Sequence, residues 1–147
     1  MQNHYHPNQA LKIIVRRFSS DGIYHVKRKS TYPLIEHHGV VVIGKHLEEL
    51  RFYDKKPRLI HKTDLGIHAD FFDSRGWENL KFVPARQISQ EIARIRVSLN
   101  NPTYYLLSSN CEHFARFVME GEQYSTQVRL GVVAVSAAAL LWLNNND

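Results

Sequence analysis

With one cysteine in 147 residues, the chain has no internal disulfide. Cys111 is therefore either a small packing group or a nucleophile. No apolar run reaches the ~20 residues that span a bilayer comfortably. The longest, 130–143, has 14. Leu11–Phe18 has neither the apolar length nor the cleavage site of a secretory signal. Internal repeats are absent, as are zinc-finger spacing and any basic ribbon interleaved with aromatics, so nothing points to nucleic-acid binding. His4, His6, His25 and His68 show no metal-site pairing, and no metal or cofactor is expected. Acidic residues are also the scarcer sign, 14 against 19 basic, and the net charge of +5 suits anionic surroundings such as phospholipid head groups. The length fits one domain with a sizeable core.

What is present concentrates around the cysteine, in Ser108-Ser109-Asn110-Cys111-Glu112-His113-Phe114. Ser109 and Glu112 have capping-box spacing, which predicts Cys111 in the first turn of a helix. Unpaired N–H groups and the positive dipole end there would lower the thiol pKa. A thiol nucleophile needs a base distant in sequence and near in space. Glu36-His37-His38-Gly39-Val40-Val41-Val42-Ile43-Gly44 offers one, because its β-branched run reads as a buried strand with histidines at its entry. Alternation puts His37 on one face with Gly39 and Val41, and His38 on the other.

The pattern predicts strands at roughly Ile23–Lys27, His37–Ile43, Leu47–Tyr53, Arg58–His61 and Leu80–Val83, with Phe71-Phe72 in a short helix or turn. Ile88, Ile92, Ile95 and Leu99 mark an amphipathic helix stopped at Asn100-Asn101-Pro102. The cysteine helix continues through Val118, with Gly121 as its C-cap residue. Strands followed by helices predict an α+β domain, an antiparallel sheet packed against helices. Residues 1–20 form an N-terminal extension, 21–125 the domain, and 126–147 an apolar C-terminal segment.

The two motifs together resemble the lecithin retinol acyltransferase-like proteins, which include phospholipase A/acyltransferases and form a circularly permuted branch of the papain-like thiol hydrolases. Asn110-Cys111-Glu112-His113-Phe114 matches their cysteine box in every position, and His37-His38-Gly39-Val40-Val41-Val42 is similar to their histidine box. The similarity runs from about Asp21 to Leu143. The resemblance implies Cys111 as nucleophile, His37 as general base and Asn110 in oxyanion or supporting duty. Relatives carry a second histidine on the next strand, typically in Val-Ile-His-Phe. In the expected strand Leu47–Tyr53 that place falls to Glu49, or to Arg51 with a small loop insertion, whereas His46 and His61 fit the pattern poorly. Of the two, Glu49 can accept from an imidazole nitrogen and Arg51 cannot.

These readings predict a thiol acyltransferase or phospholipase A that acts on acyl lipids through a Cys111 acyl-enzyme. The alternatives are a non-catalytic lipid- or protein-binding module that has lost the second histidine, and a papain-like amidase or peptidase. The expected partners are a phospholipid or other acyl lipid and a membrane surface met through 130–143, flanked by Arg129 and Trp142. As a packed segment, 130–143 would instead be a core helix. The expected location is intracellular, cytoplasmic and membrane-associated.

Overall fold

The computed structural model describes residues 18–100 and 110–121. The expectations for residues 1–17 and for the apolar C-terminal segment lie outside these residues. Five strands make one antiparallel sheet in the order β4-β3-β2-β1-β5. They are β1 (Gly22–Lys29), β2 (Glu36–Ile43), β3 (Arg58–Thr63), β4 (Gly66–Phe71) and β5 (Glu78–Pro84). The first four follow one another as a meander, and β5 crosses back to pair with β1 at the opposite edge. Two helices follow, α1 (Ser89–Asn100) and α2 (Cys111–Glu120). The α+β expectation thus holds at the level of a five-stranded antiparallel sheet with helices.

Period-two alternation divides the sheet into two chemically different faces. On the helix face, Ile23, Val40, Val42, Ile60 and Ile67 pack with Ile88, Ile92 and Ile95 and with Phe114, Ala115, Val118 and Met119 of α2. Each such buried aliphatic group contributes about 1.5–3 kcal/mol, so this layer carries the domain. The other face has a smaller cluster of Tyr24, Val26, Val41, Leu59 and Trp77. Gly39 lies on this second face opposite His61. A Cβ at Gly39 would come within 2.7 Å of Leu59 Cδ1 and 3.3 Å of His61 Cβ. The missing side chain is what lets β3 bring those groups so close to β2.

Two elements differ from expectation. The predicted strand Leu47–Tyr53 is a 3-10 helix, Lys45–Leu50. Leu47 and Leu50 are its buried residues, three apart, which is the period of a 3-10 turn and not of a strand. Gly44 at φ 96° opens the helix and Arg51 in the left-handed region closes it. Phe71 ends strand β4, whose inward residues Ile67 and Ala69 alternate with His68 and Asp70. That outward pair hid the strand from a hydrophobicity reading. Among the described residues, no helix is long and apolar enough to cross a membrane.

Candidate active site

Cys111 is the first residue of α2, as expected, but the cap differs. Asn110, not Ser109, is the N-cap, and its Oδ1 accepts from the His113 N–H at 2.8 Å. Glu112 is buried and pairs with Arg116 one turn on, at 3.2 Å. Asn110 thus holds the first turn in shape, and Ser109 lies outside the described residues. Gly121, at φ 75°, closes the helix through its N–H to Phe117 O, as its sequence position predicts.

The helix N-terminus meets β2 just before the β2–β3 ladder, which covers Gly39–Val42, begins. There the His38 N–H donates to Cys111 Sγ at 3.4 Å, and Sγ lies 3.8 Å from Glu36 O. The two backbone groups that touch the sulfur bracket His37. Burial pushes the thiol above its usual pKa, and the N–H groups of His38, Glu112 and Cys111 offset this only in part. The expected lowering of the thiol pKa is therefore reversed, and Cys111 rests as a thiol.

His37 and His38 point to opposite faces, as the alternation predicts. His38 faces the helices, is 5 % exposed, and hydrogen-bonds through Nδ1 to His25 Nε2 at 3.0 Å. His37 lies on the other face against Trp77, with ring centroids 5.7 Å apart. Its Nε2 is 2.7 Å from His61 Nδ1, and His61 Nε2 is 2.8 Å from Asp70 Oδ2. The side-chain partner of His37 is accordingly His61 on β3. Glu49 bonds instead to His46, at 2.6 Å, and Arg51 follows the 3-10 helix. Glu49 and Arg51 line a separate cavity with Leu50, Arg96, Leu99 and Asn100. The assignment of Glu49 or Arg51 to the place beside His37 is corrected to His61.

The sequence carried a signal for this residue. Leu59-Ile60-His61 has the form of the Val-Ile-His pattern sought on the next strand, but the 3-10 helix and the turn after it carry it to 24 residues beyond His37. Asp70 had no such signal, because its strand was not expected.

The relay fixes the protons. The Asp70 carboxylate only accepts, so His61 carries its proton on Nε2 and presents a lone pair at Nδ1. His37 must then donate from Nε2 into that lone pair, which leaves its own Nδ1 unprotonated. These tautomers follow from the network. Burial, with the neighbouring His61 and Arg28, lowers the His37 pKa from 6.5 to about 4. Burial also lowers that of His61, against the opposing pull of Asp70. At neutral pH Cys111 is an uncharged thiol and His37 an uncharged imidazole with Nδ1 unprotonated.

His68 stands directly opposite His61 across β3 and β4, with ring centroids 4.6 Å apart. Its Nε2 is 3.6 Å from Asp70 Oδ2. This register, which the sequence did not reveal, gathers one nitrogen or oxygen atom each of His61, His68 and Asp70 within 4.8 Å of one another. No protein-family model matches the chain, and no curated protein matches it.

Proposed function

We propose that the protein is a thiol-dependent acyl-transfer enzyme of the lecithin retinol acyltransferase-like kind, with an acyl lipid as donor. The observation that carries this reading is the chain Asp70–His61–His37, which leaves His37 Nδ1 unprotonated at the residue whose flanking backbone touches Cys111 Sγ. In the first step the Cys111 proton passes to His37 Nδ1 while the sulfur attacks the ester carbonyl carbon. The tetrahedral oxyanion faces N–H groups in the first turn of α2, whose shape the Asn110 cap maintains. Collapse breaks the ester C–O bond, and the lysolipid oxygen leaves with the proton from His37. Water, an alcohol or an amine then gives a proton to His37 and takes the acyl group, which restores the thiol.

His61 orients His37 and stabilises its imidazolium, and Asp70 fixes the tautomer of His61. The presence of a second histidine weighs against the non-catalytic module. The circularly permuted papain-like fold and membrane contact through 130–143 belong to the same proposal. So does a cytoplasmic, membrane-associated location. The net charge of +5 favours a lipid substrate over a neutral peptide.

The test is incubation with phosphatidylcholine labelled in its acyl chain, followed by mass spectrometry of the peptide containing Cys111. The expected result is one acyl adduct on Cys111, absent in Cys111→Ser. If phospholipid, thioester and peptide substrates all leave Cys111 unmodified, the binding-module reading takes its place.

A further inference from the structure

We propose that His61, His68 and Asp70 form a zinc-class divalent metal site whose occupancy switches off the proton relay; the switching half rests on the function proposed above. The three residues share the open face of the sheet. His61 and His68 are directly paired across β3 and β4, and Asp70 is two residues along β4. One potential ligand atom from each lies within 4.8 Å of the others. The Asp70 Oδ2 distances are 2.8 Å to His61 Nε2 and 3.6 Å to His68 Nε2. Tetrahedral zinc with bonds of about 2.0–2.1 Å separates its ligand atoms by about 3.3 Å, so the observed distances bracket the requirement. Two imidazoles and a carboxylate, with a fourth position left for water, suit zinc rather than calcium or magnesium. Asp70 and His68 are partly exposed, and His61 and Asp70 line an open cavity of about 370 Å³ with Arg28, Asp73, Arg75 and Trp77, which gives the ion a path.

The coupling follows from which nitrogen of His61 carries the proton. In the metal-free protein Nε2–H donates to Asp70, and Nδ1 accepts from His37. A metal ion must take the Nε2 lone pair, and the imidazole then carries its proton on Nδ1. That N–H now points at His37 Nε2, which must become the acceptor. The His37 proton therefore moves to Nδ1, the nitrogen proposed to receive the Cys111 proton. No charge change on His37 is needed, only the opposite tautomer.

Zinc titration against a chromophoric chelator tests the site without reference to activity, and 15N NMR of histidine side chains tests the coupling. Full-length wild type and Cys111→Ser should each bind one equivalent. His68→Ala and Asp70→Asn should weaken binding at least about tenfold, and circular dichroism checks that both remain folded. On adding zinc, the His61 proton should move from Nε2 to Nδ1 and the His37 proton from Nε2 to Nδ1. Binding that survives His68→Ala and is lost in Cys111→Ser would place the metal at the thiol and overturn the site. Absence of binding by wild type would do the same. Binding at His61 with the His37 proton still on Nε2 would overturn the switch. Cys111→Ser has no thiol to acylate, and zinc binding and NMR are read without any acyl substrate, so these results are independent of whether the acyl-transfer reading holds.

Discussion

The two faces of one sheet treat their histidines differently. On the helix face, His25 and His38 are sealed in the main core and hydrogen-bond to each other, at 6 % and 5 % exposure. On the open face, His37 and His61 form a chain that ends in Asp70, a carboxylate with 56 % of its side chain exposed. Burial lowers the pKa of all four histidines, so desolvation alone does not distinguish a catalytic from a structural one. The distinction lies in the hydrogen-bond chain. His25 and His38 bond to one another, with a Glu36 oxygen 3.9 Å from His38 Nε2, whereas the open-face chain ends in a hydrogen-bonded carboxylate and leaves His37 Nδ1 unprotonated, the form that can take a proton.

Substitution of the adjacent histidines makes the strongest break in this comparison. His37→Ala should lower acyl transfer by about 100-fold or more, as loss of a positioned base does. Asp70→Asn, two links back along the chain, should cost about tenfold, as loss of a supporting partner does. His38→Ala should leave the rate within a few-fold and instead destabilise the fold by about 1–3 kcal/mol, because it strands His25 Nε2 in the core. Steady-state kinetics and urea unfolding of the three variants check the ranking. A larger rate loss for His38→Ala than for His37→Ala would assign the base to the helix face.

Acid sharpens the same contrast. His37 and His25 both have pKa values lowered from 6.5 to about 4. Between these values the unfolded chain binds more protons than the folded one, so stability is complete above pH 6.5 and declines as pH falls towards 4. Under the proposed acyl transfer, the rate constant of the folded protein should hold to lower pH and reach half its plateau near pH 4, where His37 gains its proton on Nδ1. His25→Gln should flatten the stability curve and leave the pH–rate curve in place, since His25 belongs to the helix face. Urea midpoints and initial rates at matched pH values test this. A pH–rate curve that moves with His25→Gln would tie the faces together.

The difference between the faces also explains what was legible in the sequence. Regular apolar spacing marked β1, β2, α1 and α2, because each buries a repeating stripe against the main core. Cys111 and the facing of His37 were readable for the same reason, a cap and an alternation being local properties. The missing links, His61 and Asp70, depend on β2, β3 and β4 aligning in register, a non-local fact. The 3-10 helix displaced His61 from its expected spacing, and β4 carries His68 and Asp70 where a half-buried strand ordinarily shows plain solvent-facing residues. The thiol pKa was misjudged because the cap is local and the opposing burial comes from the strand packed over it.

The smallest expected effect belongs to the residues that sequence spacing favoured for the third position. Glu49 is half exposed and accepts from His46 Nδ1 at 2.6 Å. Glu49→Gln keeps an amide oxygen able to accept that bond, so stability should change by no more than about 0.5 kcal/mol. The rate should stay within about twofold, since the orientation of His37 comes through His61. Arg51→His, at a left-handed position after the 3-10 helix, should likewise bring no gain in rate. Kinetics of the two variants beside His61→Ala give the discriminating comparison. A tenfold loss in Glu49→Gln with little change in His61→Ala would mean that the working enzyme draws its third residue from the 3-10 helix and that the Asp70–His61 chain is structural. With the relay as described, His61→Ala suffers the loss, because it removes the acceptor His61 Nδ1 that holds the proton of His37 on Nε2 and keeps its Nδ1 unprotonated.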